Sequence, residues 1–276
     1  MFLTFKDISV FVKKNFRRSN PGKPGIFFLH GFGGSSGDWE EIISLLGSDF
    51  QLIAIDLPGF GKSSKPDNTK FYQTKFLVQL ISDISCRLKL TGVVLTGYSM
   101  GGRLALQFAN KYPGKIKALI LESSSPGLKT KLEQKVRRKY DADLISFIKN
   151  NTLIDFFTFW QNQLLFASQK NLPQKKQIST LKKKTRSNSK TGLSNSLRCF
   201  GQGEMKNLWC ALPEIKIPTL LLSGSLDAKY TAIQNEMETL FPNSIHKIIE
   251  DAGHNLHLEK PKVFVNLIRE FLQTLK

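Results

Sequence analysis

The spacing of apolar positions changes along this chain. Between Phe2 and Phe16, Phe, Ile and Val alternate with polar residues, the two-residue period of a half-buried β-hairpin. Farther on, the runs Ile26–Leu29, Leu52–Ile55, Val93–Leu95, Ala118–Leu121, Thr219–Leu222 and Ile245–Ile249 are apolar almost without interruption, and helical spacing separates them. A strand that is apolar on both sides has to be covered on both faces. The alternation therefore predicts an α/β fold: a mostly parallel central sheet covered by helices. It lapses between 128 and 212, where amphipathic helical stretches such as Leu144 to Trp160 occur without a strand. The expected organisation is a core of residues 1–127 and 213–276 carrying an inserted helical lid, residues 128–212, with Pro126-Gly127 and Leu212-Pro213 as boundaries. No internal repeat is visible.

Composition narrows the picture. With 276 residues and 41% hydrophobic content, the chain can bury one large core. It has no uncharged apolar run of about 18 residues, so no stable membrane insertion is expected. The segment Met1 to Asp7 lacks the charged start, apolar run and small-residue cleavage site of a leader, and the cytoplasm is the expected location. Cys86, Cys199 and Cys210 show neither C-x-x-C spacing nor neighbouring histidine pairs, and they read as buried free thiols. No metal or cofactor is expected. The net charge of +18 creates a field that attracts anions. The lysines are scattered, and the densest group, Lys175-Lys176 to Lys182-Lys183-Lys184, lacks the aromatics of a single-strand-binding surface. Solvated surface and an anionic small-molecule substrate fit this charge, and nucleic acid is not expected as a partner.

Chemistry enters at Gly97-Tyr98-Ser99-Met100-Gly101, directly after the run Val93-Val94-Leu95-Thr96 and directly before a helical pattern. This is the layout of a nucleophile elbow, in which a serine on a sharp strand-to-helix turn is pushed out above the sheet. The flanking glycines are required because a Cβ there would strike neighbouring backbone. The order serine, acid, histidine is completed by Asp227 and His254, each at or just beyond the carboxyl end of a predicted strand. Serine becomes reactive when a neutral imidazole takes its proton and a carboxylate fixes the imidazole tautomer. Taken singly, Asp227 has an alternative as a turn or helix-capping residue, and His254 as a loop histidine.

Two glycine-rich stretches imitate phosphate-binding motifs. His30-Gly31-Phe32-Gly33-Gly34-Ser35-Ser36 departs from the dinucleotide fingerprint at Ser36, and Gly61-Lys62-Ser63 lacks the first glycine of a P-loop, Asp56 standing there instead. The first stretch can instead offer the N–H of Phe32 to an oxyanion, beside the N–H of Met100. His30 is expected to shape that loop.

The segments His30-Gly31-Phe32, Asp56-Leu57-Pro58-Gly59-Phe60-Gly61 and Gly97 to Gly102 resemble the α/β-hydrolase superfamily over nearly the whole chain. More narrowly, Gly97 to Arg103 and Glu122-Ser123-Ser124-Ser125-Pro126-Gly127-Leu128 resemble the 2-succinyl-6-hydroxy-2,4-cyclohexadiene-1-carboxylate synthases of menaquinone and phylloquinone biosynthesis. That resemblance implies elimination of pyruvate with Ser99 as base, an oxyanion hole at Phe32 and Met100, and a substrate with three carboxylates. It implies anion-binding roles for Arg103, Arg137 and Arg186, with Tyr98 and Trp160 lining the pocket. Each has a plainer alternative: a surface position for Arg103, a solvated helix face for Arg137, with the role falling one residue on at Arg138, the lysine-rich segment for Arg186, and the core for Trp160. A carboxylester or thioester hydrolase using the same triad is the second reading.

Overall fold

The alternating N-terminal segment folds as an antiparallel hairpin of β1 (Phe2–Phe5) and β2 (Ile8–Lys14). Then come β3 (Gly25–Leu29), α1 (Glu40–Leu46), β4 (Gln51–Ile55), α2 (Thr74–Arg87), β5 (Val93–Tyr98), α3 (Met100–Lys111) and β6 (Ile116–Glu122). The chain next passes through α4 (Lys131–Asn150), α5 (Leu153–Gln161), α6 (Gln174–Ser187) and α7 (Lys190–Phe200). It ends with β7 (Thr219–Gly224), α8 (Ala228–Leu240), β8 (Ser244–Ile249), α9 (Leu256–Glu259) and α10 (Pro261–Gln273). This computed structural model describes residues 1–20 and 23–275.

Among the described residues the strands form one sheet in the order β1-β2-β4-β3-β5-β6-β7-β8, parallel from β4 onward. Side chains alternate across it. Phe27 and Leu29 join the core layer packed with α2 and α3, whereas Ile26 and Phe28 join the layer packed with α1 and α10. This double cover is what the uninterrupted apolar runs require.

The last predicted strand differs. Ile245 and Ile248 are each 44% exposed, because β8 is the sheet edge and carries cover on fewer sides than the interior strands.

Between β6 and β7 the described residues hold helices and no strand. Thr130 with Glu133 and Thr152 with Asp155 form capping boxes that start α4 and α5. A 3-10 turn over Trp209–Glu214 runs across the boundary drawn at Leu212-Pro213. Among the described residues no helix is long and apolar enough to cross a membrane.

Candidate active site

β5 ends at Tyr98 and α3 begins at Met100, which leaves Ser99 to make the whole turn, at φ 50° and ψ −106°. L-residues seldom occupy this region, and such strain persists only where the surroundings dictate it. They do so here. A Cβ on Gly97 would overlap the backbone of Gly101, and one on Gly101 would overlap the carbonyl of Leu29. The Ser99 N–H donates to the Glu122 carbonyl at 2.9 Å, tying the turn to the end of β6.

The turn lifts the Ser99 hydroxyl toward His254, whose Nε2 lies 3.1 Å from Ser99 Oγ. On the far side of the ring, His254 Nδ1 lies 2.6 Å from Asp227 Oδ2. A carboxylate at Nδ1 holds the proton there and leaves Nε2 free to accept from serine. The other Asp227 oxygen, Oδ1, accepts from the Tyr230 N–H at 3.2 Å and caps α8. Asp227 is thus a helix cap and the partner of His254 at once. Glu259 fixes the histidine loop, accepting from the N–H groups of Gly253 at 2.8 Å and Asn255 at 3.2 Å, on either side of His254.

Among the described residues the N–H groups of Phe32 and Met100 have no acceptor, and both residues line the cleft at Ser99. His30 shapes the loop that carries Phe32: its Nδ1 donates to the Gly31 carbonyl at 2.8 Å and its Nε2 accepts from the Leu57 N–H at 3.1 Å. Burial lowers the His30 pKa, which favours the neutral ring this pairing needs. Asp56 braces the neighbouring turns through the N–H groups of Ser36 and Lys62, at 2.5 and 2.6 Å.

The cleft is cationic and aromatic. Arg103, one helical turn beyond Ser99, is buried, and its guanidinium lies 5.8 Å from the Phe200 ring centroid. Its Nε has no partner and no carboxylate is paired with it among the described residues; burial pulls its pKa down to about 10. Arg137 also lines the cleft, held by Asp141 at 2.8 Å and by Gln202 at 2.9 Å. Burial raises the Asp141 pKa against the opposing pull of Arg137. The neighbouring Arg138 points away, to the Gly203 carbonyl at 2.8 Å. The Trp160 ring packs 5.3 Å from Phe32 and 5.9 Å from Phe166, and the Tyr98 ring 5.4 Å from His254. This cleft holds about 110 Å³, and an adjoining cavity of about 320 Å³ shares Phe32, Tyr98 and Lys184 with it. The Ser99 cleft alone falls below the size of ordinary ligand sites, roughly 300–1,000 Å³, and joined to the adjoining cavity it lies within that range.

The sequence pattern of the α/β-hydrolase fold matches residues 24–261. A Bacillus subtilis protein provisionally named as a 2-succinyl-6-hydroxy-2,4-cyclohexadiene-1-carboxylate synthase is 41% identical over 90% of this chain and 89% of its own. The synthase of that name from Enterobacter sp. is 29% identical over 93% of this chain and 95% of its own. The solved structure of MenH from S. aureus superposes with a TM-score of 0.90 at 34% identity, covering 96% of this chain and 98% of the other. The chain belongs to the α/β-hydrolase family, in its 2-succinyl-6-hydroxy-2,4-cyclohexadiene-1-carboxylate synthase branch.

In this α/β-hydrolase, Arg186 does not line the Ser99 cleft. It lines a separate groove on the other side of α6, while Lys184 faces the cleft. Positions two apart on a helix point about 160° away from each other, so Lys184 and Arg186 leave α6 on different sides. Lys184 went unnoticed because it stands in a lysine run, although it follows Leu181 at i+3, on the inward side of α6. Burial lowers its pKa.

A second histidine–carboxylate pair was also hidden. His257 Nδ1 lies 2.7 Å from Glu122 Oε2, the His257 ring stacks on Trp39 at 4.2 Å, and its edge meets the Tyr98 ring at 5.0 Å. The three cysteines are free, as expected, but Cys86 and Cys210 are exposed and Cys199 is half-buried. Cys86 sits on the outward side of the amphipathic helix α2, where small size alone does not bring a residue into the core.

Proposed function

We propose that Ser99, activated by His254 and Asp227, is the base in an elimination that releases pyruvate. The chain is a carbon–oxygen lyase that converts 2-succinyl-5-enolpyruvyl-6-hydroxy-3-cyclohexene-1-carboxylate into 2-succinyl-6-hydroxy-2,4-cyclohexadiene-1-carboxylate. The change of double bonds fixes the chemistry. Loss of a proton at C2 turns the C3–C4 alkene into C2–C3 and C4–C5 alkenes as the C5–O bond breaks. C2 is α to the succinyl ketone, so negative charge builds on the ketone oxygen. The N–H groups of Phe32 and Met100 are placed to hold that oxygen; a preorganised donor of this kind contributes about 3 kcal/mol. The Ser99 alkoxide, its own proton on His254, takes the C2 proton. The leaving group departs as the enolate of pyruvate, which takes the proton held by His254 and ketonises to pyruvate, leaving Ser99 protonated and His254 neutral as at the start.

The observation that carries this reading is the buried Arg103, without a carboxylate partner, close to Ser99. Together with Arg137, Lys184 and Lys229 it gives the cleft four cations. The substrate has three carboxylates, and guanidinium groups suit bidentate contact with them. A simple ester offers no such groups. Tyr98 and Trp160 supply apolar wall, and residues 128–212 act as the lid, because Arg137, Trp160 and Lys184 all come from that segment. We take the cytoplasm as the location, in keeping with a diffusible anionic substrate, and invoke no nucleic acid, metal or cofactor.

The test is release of pyruvate from enzymatically generated precursor, measured together with the absorbance of the new diene. Equimolar pyruvate and diene are expected. Hydrolysis of p-nitrophenyl acetate with no elimination above background would transfer the site to the carboxylester or thioester hydrolase reading.

A further inference from the structure

Glu122 ends β6 beside the turn at Ser99, and its backbone and side chain hold two different parts of the site. The backbone carbonyl accepts the Ser99 N–H at 2.9 Å. The carboxylate reaches across to the histidine loop, where Oε1 accepts the His257 N–H at 3.1 Å and Oε2 accepts the ring Nδ1–H at 2.7 Å. His257 stands three residues beyond His254, in α9. Apart from the Ser99–His254 contact itself, Glu122 alone among the described residues joins the serine to that loop by hydrogen bonds.

Stability does not account for this pair. Both side chains are at most 2% exposed, and no lysine or arginine pairs with the carboxylate among the described residues. Taking such groups out of water is costly, and apolar residues of similar volume often stabilise a fold as well or better. An apolar contact, however, carries no direction. A carboxylate that accepts twice from one residue fixes both distance and orientation.

That orientation is passed on to His254. Glu259 holds the N–H groups of Gly253 and Asn255, so the segment from 253 to 259 moves as one piece. The Tyr98 ring packs against both histidines, 5.0 Å from His257 and 5.4 Å from His254. Trp39, stacked on His257 at 4.2 Å, restrains its ring. Asp227 ties His254 to the start of α8, and Glu259 ties the loop to itself; neither reaches the turn at Ser99.

We propose that Glu122 and His257 are positioning residues, a spacer whose length sets the gap between Ser99 and His254. A misplacement of about 1 Å in a reacting group can cost about a hundredfold in rate. The spacer rests on the triad reading given above, and it holds whichever reaction the triad performs.

Length and charge at Glu122 can be varied separately. Glu122→Asp keeps the charge and shortens the reach by one methylene, whereas Glu122→Gln keeps the reach and removes the charge. His257→Asn replaces the ring but keeps an N–H near the place of Nδ1. The readout is release of fluoride from diisopropyl fluorophosphate as Ser99 Oγ takes the phosphoryl group, expressed per folded molecule from urea unfolding. Glu122→Asp should react at least about tenfold more slowly than the unaltered protein, with Glu122→Gln and His257→Asn within about threefold of it. In the elimination assay the same order should appear in kcat, with KM unchanged. The reverse order at Glu122 would show that charge and not length matters, and it overturns the spacer. So do equal losses in all three variants, or losses that vanish once unfolded protein is discounted. Should Glu122→Asp fail to fold, a slow Glu122→Gln still overturns the spacer, and near-normal rates for it and His257→Asn support it. If the unaltered protein releases no pyruvate, the elimination fails and fluoride release still decides on the spacer; if it releases no fluoride either, the triad reading fails and the spacer with it.

Discussion

Lys184 and Arg186 stand on one helix, yet Lys184 faces the Ser99 cleft and Arg186 a groove on the opposite side. Their substitutions should therefore read differently. Lys184→Ala removes a charge-assisted contact in the cleft, worth about 1.5–3 kcal/mol, so kcat/KM for elimination should fall at least about tenfold. Hydrolysis of a neutral ester should barely respond.

The same lysine should set the alkaline limb of the pH profile. Burial lowers its pKa, so its positive charge is lost earlier than an ordinary lysine's as pH rises. Activity toward the tri-anion is then expected to decline with rising pH, and Lys184→Arg should move that decline upward. An alkaline limb unmoved by the arginine variant would assign it to another group in the cleft, such as Arg103, whose pKa burial lowers to about 10.

Ser99, His254 and Asp227 make one hydrogen-bonded chain. Ser99→Ala and His254→Ala should each abolish nearly all turnover, and the double variant should be little worse than either. Losses that multiply would show that the two residues act independently. Asp227→Asn should also be severe through the wrong imidazole tautomer.

The parallel sheet and the Ser99 turn were legible because each has a local signature: uninterrupted apolar runs, and glycines that no side chain could replace. Asp227 was legible only in the company of Ser99 and His254, and the structure shows why, since it also caps a helix as an isolated aspartate would. The residues between β6 and β7 were harder. Arg137 and Arg138 are adjacent cations in one helix, and only the fold directs the first to the cleft and the second to Gly203. Arg186 and Lys184 pose a similar problem: a run of cations carries no signal of which side of α6 each takes. The Glu122 and His257 pair was invisible because it joins the ends of distant elements.

Removing Glu122 should be felt as lost stability. Its carboxylate accepts from both the N–H and the ring of His257, and both side chains are buried. Glu122→Ala strands those donors and should destabilise the fold by about 3–5 kcal/mol in urea unfolding. Adding His257→Ala should add less than its own separate effect.

Two glycines offer a contrast. Gly101→Ala drives a methyl into the Leu29 carbonyl, whereas a Cβ on Gly114 meets nothing within 4 Å. The first variant should lose soluble expression or all activity, and the second should keep both. Equal tolerance would mean that the turn at Ser99 has more room than the packing implies.

The helices between β6 and β7 leave the sheet from one strand and return to it on the next, and those two strands pair directly, Leu119 with Thr219 through Glu122 with Leu222. The excursion therefore begins and ends at the same seam. Its length and composition can drift over generations without altering any strand register, while Ser99, Asp227 and His254 stay where the sheet puts them. A chain organised in this way can acquire a new clientele by rewriting one contiguous stretch of its gene.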